Sequence, residues 1–120
     1  MSHEHMTRRQ EEALRRQEQR YEEAKAEIED LGFVLQGSIA KRWMECGNPA
    51  CRCHEDAEAR HGPYYQWTWK TAGKTRSMYL SKEQATQCRR WIQNNRQLNK
   101  LVSRLRRISL RAARSHEIRK

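Results

Sequence analysis

Leu14, Gln17, Tyr21, Ala24, Ile28, Leu31 and Leu35 follow one another at alternating three- and four-residue steps. That rhythm is the a/d seam of a coiled coil and predicts a helix over residues 7–35. Glu11–Arg15 and Glu12–Arg16 attract at i,i+4, whereas Glu18–Glu22 repels. The seam is weak at Gln17 and Ala24, so this helix needs a partner to persist. Gly32 or Gly37 is expected to end it.

A second helical pattern starts at Ser81. Ser81-Lys82-Glu83-Gln84 fits a capping box, with Ser81 as N-cap and Gln84 reaching back three residues later. Behind it Cys88, Trp91, Asn95, Leu98, Val102, Leu105 and Ser109 form a heptad-like stripe, widened by Ile92, Leu101 and Ile108. An asparagine on such a seam can set register or oligomer state at some cost in stability. The apolar pattern fades after Arg111, and residues 114–120 are expected to fray.

Between the helices the period changes to two. Tyr64-Tyr65-Gln66-Trp67-Thr68-Trp69-Lys70 alternates at Tyr65, Trp67 and Trp69 and reads as a strand. Thr71-Ala72-Gly73-Lys74 is a turn, and Thr75-Arg76-Ser77-Met78-Tyr79-Leu80 returns as the hairpin partner. Ser38-Ile39-Ala40-Lys41-Arg42-Trp43-Met44 completes a three-stranded antiparallel sheet. The chain thus divides into an acidic amphipathic helix (residues 1–35), a central β module (36–80) and a basic helix (81–120).

Composition adds a constraint. Of 120 residues, 36% are apolar and 33% charged, and mean hydropathy is -1.20. A chain of this size and polarity buries too little to fold without help from a metal, a partner or paired helices. No apolar run approaches the ~20 residues that span a bilayer. The Met1-Ser2-His3-Glu4-His5-Met6 terminus lacks the apolar stretch of a signal peptide, so the cytoplasm is the expected location. There thiols stay reduced, and clustered cysteines read as metal ligands before disulfides.

The net charge of +10 is uneven. Residues 11–30 carry eight acids against four bases, while residues 89–120 carry eleven bases against Glu117 alone. An acidic first helix packing on a basic last one, within a chain or across a homodimer, satisfies both. The surplus is an electrostatic footprint suited to phosphate backbones. A solvated helix face partly neutralised by the acidic helix is the plainer reading.

The candidate chemistry lies in Cys46-Gly47-Asn48-Pro49-Ala50-Cys51-Arg52-Cys53-His54 and the later His61-Gly62-Pro63-Tyr64. Gly47, Asn48 and Pro49 supply turn chemistry between the first two cysteines. Cys51 and Cys53 can meet one ion if the chain bends sharply at Arg52. Cys46, Cys51, Cys53 and His61 are therefore the expected zinc ligands, with zinc–sulfur distances of ~2.3 Å. Gly62-Pro63 can turn the chain back after His61. His54 is the rival fourth ligand, although three ligands within four residues would crowd one ion. Free thiols or a Cys51–Cys53 redox pair compete with zinc, but the helix start typical of a redox site is lacking. Cys88, on the apolar stripe, reads as a buried hydrophobe.

Gly37-Ser38, Arg42, Cys46-Gly47-x-Pro49-x-Cys51-Arg52-Cys53, His61-Gly62-Pro63-Tyr64-Tyr65, Gly73-Lys74-Thr75-Arg76-Ser77-x-Tyr79-Leu80 and Arg90-Trp91-Ile92 together resemble a family of small Cys-rich prokaryotic proteins of unknown function. The resemblance runs from residue 35 to about 105 and leaves the first helix outside. It implies a small Cys-rich protein with a helical tail, of a kind often encoded near mobile genetic elements. It implies no activity.

Three function classes follow. In the first, a zinc-stabilised, α+β protein binds DNA or RNA, as an accessory factor linked to mobile elements. Its contacts would be Lys41 and Arg42 on the first strand, Arg52 in the metal loop, Lys70, Lys74 and Arg76 on the hairpin, and Arg89, Arg90, Arg96, Arg104 and Arg107 on the basic helix. Tyr64, Tyr65, Trp67 and Trp69 can stack on unpaired bases, but a small sheet uses most such aromatics as core. In the second, the chain is a non-catalytic dimerisation or adaptor subunit of a larger nucleic-acid-processing complex. The third, catalysis at His54, Glu55, Asp56, Glu58 and His61, is disfavoured. Three cysteines and a histidine close a structural metal site, and phosphate-loop and nucleophile-elbow motifs are missing from the sequence.

Overall fold

The computed structural model describes residues 6–116. Element order is α1 (Arg8–Glu29), β1 (Ser38–Met44), two 3-10 turns at Arg52–His54 and Ala57–Ala59, β2 (His61–Thr71), β3 (Lys74–Leu80) and α2 (Lys82–Arg114). The described residues are α+β, with two α-helices and one antiparallel sheet in the order β1-β2-β3. The chain clusters into a sheet-bearing unit, Phe33–Asn95, and a helical unit made of the residues up to Gly32 and from Arg96 onward. No helix among the described residues is long and apolar enough to cross a membrane.

Both helices begin at reciprocal caps. The Gln10 amide donates to Thr7 Oγ1 at 3.1 Å while the Thr7 amide donates to Gln10 Oε1 at 2.9 Å. Ser81 and Gln84 repeat the exchange at 3.1 and 3.0 Å, so the expected capping box is present. Each box satisfies two of the amides that a helix start leaves without partners.

Helix α1 stops at Glu29, earlier than the expected Leu35, and neither Gly32 nor Gly37 terminates it. Its last turn contains no base. Glu29 and Asp30 instead set negative charge against the carbonyl end of the dipole, which weakens that terminus. The residues beyond have other work. The Leu35 amide donates to the Trp91 carbonyl at 3.0 Å, and Asn94 Nδ2 donates to the Phe33 carbonyl at 2.9 Å. Phe33 also meets Trp91 edge-on at 5.0 Å. Residues 33–36 thus form a strap along the first half of α2.

In the helical unit Ala24, Leu101 and Ile108 are buried, and Arg104 Nη1 donates to Glu27 Oε2 at 2.8 Å. Burying a leucine as completely as Leu101 contributes about 1.5–3 kcal/mol. In the sheet unit the buried residues are Cys53, Tyr65, Ala85 and Ile92. The deepest positions on α2 are therefore Ala85, Ile92, Leu101 and Ile108, while the expected seam residues Cys88, Trp91, Asn95, Leu98, Val102 and Leu105 are only half-buried and Ser109 is exposed. The nine-residue step from Ile92 to Leu101 departs from a seven-residue repeat because the two belong to different cores. Of the tail expected to fray, residues 117–120 lie outside the described residues, as do residues 1–5.

The sheet register sorts side chains by face. Trp67 pairs with Ile39 on one side and Met78 on the other, and Tyr65 with Lys41 and Leu80. Directly opposed residues share a face, so Tyr65, Trp67 and Trp69 line the side that contributes buried Tyr65 to the core. Trp67 and Trp69 stack at 3.8 Å, and Trp67 Nε1 donates to the Gln36 carbonyl at 2.9 Å. The opposite face carries Ala40, Arg42, Tyr64, Gln66, Thr68, Ser77 and Tyr79. Ala72 and Gly73, both at positive φ, make the two-residue turn at the far end of the hairpin.

Candidate metal centre

The centre is built where β1 leaves the sheet and β2 enters it. Met44 pairs with His61, so the segment between them is pinched shut at its root. Cys46 lies two residues past that pair and His61 within it. The register shifts between Arg42 and Met44. Gly62 and Pro63, joined by a cis peptide bond, therefore face the single residue Trp43 as a one-residue bulge inside β2 and do not form the reversing turn read from the sequence. A bulge re-aims the neighbouring side chain, here His61.

Two local turns bring the remaining sulfurs in. Asn48 Oδ1 accepts from the Ala50 amide at 3.0 Å, and its carbonyl accepts from the Cys51 amide at 3.1 Å. Such side-chain-to-backbone bonding is the ordinary turn chemistry of asparagine. The 3-10 turn at Arg52–His54 then supplies the bend expected at Arg52 and turns Cys53 inward, leaving it 1% exposed.

Cys46, Cys51, Cys53 and His61 consequently offer four ligand atoms that all lie within 4.8 Å of one another. Cys53 Sγ is 3.7 Å from Cys46 Sγ, and Cys51 Sγ is 3.3 Å from His61 Nε2. A tetrahedron with zinc-like bond lengths has sulfur–sulfur edges of ~3.8 Å and sulfur–nitrogen edges of ~3.6 Å. These two separations are close to the edges of one coordination sphere. They are too long for disulfides, and all four cysteines are free. The site can hold a metal ion.

His54 is occupied elsewhere. Its Nε2 lies 2.9 Å from the Asn48 carbonyl oxygen and its Nδ1 3.1 Å from Glu45 Oε2. Both nitrogens face oxygen acceptors, so the ring braces the first turn and is not the fourth ligand. Sequence reasoning missed Glu45 in this role; an acid immediately before Cys46 was the available signal.

The thiols differ in acidity. Cys51 is lowered to about 6, first by the backbone amide of Cys53, then by the His61 ring and the neighbouring sulfurs. Cys53 is pushed up to about 11, chiefly by burial, against the opposing pull of the Cys46 amide, which donates to its sulfur at 3.3 Å. Thiolates are the reactive form. In the folded, metal-loaded protein, iodoacetamide should therefore reach the part-exposed Cys51 well before Cys53, which is 1% exposed. Peptide mapping by mass spectrometry after timed alkylation gives the order. Faster labelling of Cys53 would contradict its place inside the loop.

The basic residues expected at a nucleic-acid surface are divided between the two units, with Arg96, Arg104 and Arg107 in the helical one and the rest in the sheet-bearing one. Lys70, Lys74 and Arg76 are exposed around the hairpin turn, and Arg90 and Arg96 are exposed on α2. Lys41 lies 5.2 Å over the Trp43 ring, and Arg89 lies 5.6 Å over that of Tyr65. Arg42 donates to Gln66 Oε1 at 2.8 Å. Arg52 pairs with Asp56 at 3.4 Å in the metal loop. Arg104 pairs with Glu27, and Arg107 lines a groove with Arg20 and Arg111 beside Glu23 and Glu27. Cys88 is half-buried and separate from the four ligands.

Residues 10–90 match a family profile described as a domain of unknown function, DUF6788. The match takes in nearly all of α1, which the motif resemblance leaves outside, and ends early in α2. No curated protein and no solved structure matches the chain.

Proposed function

The chain belongs to the DUF6788 family, whose description names no activity, and we propose from its own residues that it is a zinc-stabilised nucleic-acid-binding protein. Three thiolates and an imidazole form a donor set suited to zinc, and four protein ligands close the sphere, so the ion would hold the loop and perform no chemistry. The motif resemblance adds the expectation of an accessory factor linked to mobile elements.

One observation carries the binding assignment. The three strands contain Lys41, Arg42, Lys70, Lys74 and Arg76 and no aspartate or glutamate. The acids nearby, Glu45, Glu55, Asp56 and Glu58, all sit in the metal loop at the other end of β2 from the hairpin turn. Eleven residues of strand separate those ends, on the order of 35 Å. Phosphates are thus drawn to the carboxylate-free strands, most strongly around the hairpin turn that Lys70, Lys74 and Arg76 flank.

Neutralising a phosphate contact lowers the salt dependence of binding by about 0.7–0.9 per contact in log–log slope. Lys70→Gln/Lys74→Gln/Arg76→Gln should weaken binding to any sequence and reduce the slope by about 2. Fluorescence anisotropy across a salt series measures both, and a slope equal to wild type would remove the hairpin from the interface.

A second reading, a dimerisation or adaptor subunit, is favoured by Phe33 and Val34, which are 72% and 44% exposed in the strap. Sedimentation of nuclease-free protein, with absorbance at 260 and 280 nm, separates the two. A homodimer carrying no nucleic acid supports the adaptor.

A further inference from the structure

The face of the sheet opposite the core carries a second, independent set of groups. Tyr64 and Tyr79 stand on it 41% and 54% exposed, with ring centres 6.2 Å apart and planes at 65°. The Tyr79 hydroxyl donates toward Met44 Sδ at 3.8 Å, a weak tether on the outer strand. Beside the pair a polar row crosses all three strands. Arg42 Nη1 donates to Gln66 Oε1 at 2.8 Å, and Gln66 Nε2 donates to Ser77 Oγ at 3.2 Å. The row orients the Gln66 amide and leaves guanidinium N–H groups of Arg42 and the Ser77 hydroxyl proton for another acceptor. Lys70 follows on the same face towards the turn, where Lys74 begins β3.

Two adjacent part-exposed rings offer flat apolar surface to a partner, and a sheet face without a carboxylate repels cations and attracts phosphates. Stacking surface, oriented edge-reading groups and flanking lysines are the three elements with which open sheets hold nucleotides. A duplex offers phosphates to lysines but no free base face, because each base is already stacked on both sides. The tyrosines therefore select unpaired bases.

We propose that this face, centred on Tyr64, Tyr79, Arg42 and Gln66, binds single-stranded nucleic acid by stacking bases on the two tyrosines. The assignment rests on the nucleic-acid reading above and narrows it to a strand type and a surface. Tyr65, Trp67 and Trp69 take no part, since they belong to the other face of the sheet.

The test uses zinc-loaded full-length protein and fluorescence anisotropy with mixed-sequence single-stranded DNA, single-stranded RNA and duplex DNA of equal length. Wild type should bind a single strand more tightly than the duplex. Tyr64→Leu/Tyr79→Leu should weaken single-strand binding by about 10- to 100-fold, leaving the salt slope and duplex affinity as they were. Tyr64→Phe/Tyr79→Phe keeps the rings and should bind single strands like wild type. Metal stoichiometry and circular dichroism confirm that each variant is folded. A preference for DNA or for RNA supports the proposal and names the natural strand. Duplex preference by wild type, or full single-strand affinity in the leucine variant, overturns this proposal and leaves the broader reading standing. Failure of wild type to bind any of the three probes overturns both.

Discussion

Cys53→Ser should abolish stoichiometric metal binding and unfold the segment between Met44 and His61. Cys53 is 1% exposed, and its sulfur lies 3.7 Å from Cys46 Sγ and accepts the Cys46 amide. The segment it anchors has little else. Its only regular structure is two three-residue 3-10 turns, and Cys53 is its single buried residue. Structural zinc binding is worth about 10–16 kcal/mol in small metal-dependent peptides at neutral pH, comparable with the whole stability of a small domain at about 5–15 kcal/mol. Removing the ion should therefore release the loop outright, and a strong chelator should do the same to wild type. Native mass spectrometry reports the metal and hydrogen exchange the loop. His54→Gln is the contrast: it removes the brace between Glu45 and Asn48 but not a ligand, and should keep one equivalent of metal. A folded, exchange-protected loop in metal-free Cys53→Ser would sink the centre's structural role.

Gly62→Ala should cost about 2–4 kcal/mol and loosen the metal site although it changes no ligand. Gly62 sits at φ 140°, and a Cβ there would lie 2.7 Å from the Arg42 carbonyl oxygen and 3.2 Å from Trp43 Cα. Both neighbours are backbone of β1, so relief requires parting the strands next to the Met44–His61 pair. That moves His61 away from the cysteines. Gly37→Ala should be as severe for the sheet, since its Cβ would collide with the Thr68 carbonyl oxygen and sit 2.7 Å from Trp67 Nε1. Gly47→Ala meets nothing within 4 Å and should stay within about 0.5 kcal/mol of wild type, although Gly47 lies between two ligands. Thermal melts of the three variants, with metal affinity for Gly62→Ala and Gly47→Ala, settle the order. Equal losses at all three positions would refute it.

These two predictions also show where local pattern stops. Ser81 and Gln84 announce a helix start because their bonds span three residues, and the helix starts there. The alternation of Tyr65, Trp67 and Trp69 names the inward face of β2 because strand geometry places every second side chain on one side. The spacing of Cys46, Cys51 and Cys53 suggests metal ligation, as thiols so close have few other uses in a polar loop. Crowding already favours His61 over His54 in the sequence, and the structure adds the reason. His54 is nearer in sequence, but its ring is spent on Glu45 and Asn48, while His61 is delivered by pairing with Met44. The end of α1 misleads for a similar reason: Leu31 and Leu35 continue the helical rhythm, yet Leu35 donates to the Trp91 carbonyl and residues 33–36 leave the helix to make the strap. The basic residues divide the same way, since only spatial neighbours reveal that Arg104 is paired with Glu27 and Arg52 with Asp56.

What the chain encodes locally is its helix starts, its three strands with their turn, and a cysteine loop able to ligate a metal, because each depends on residues a few positions apart. The true end of α1, the close-packed glycines, the delivery of His61 by Met44 and the open tyrosine face came only from tertiary contacts, most of them set by the antiparallel register. That register places His61 beside Met44 and Tyr79 beside Gln66, and pairings between residues 13 or more positions apart leave no periodic trace from which to read them.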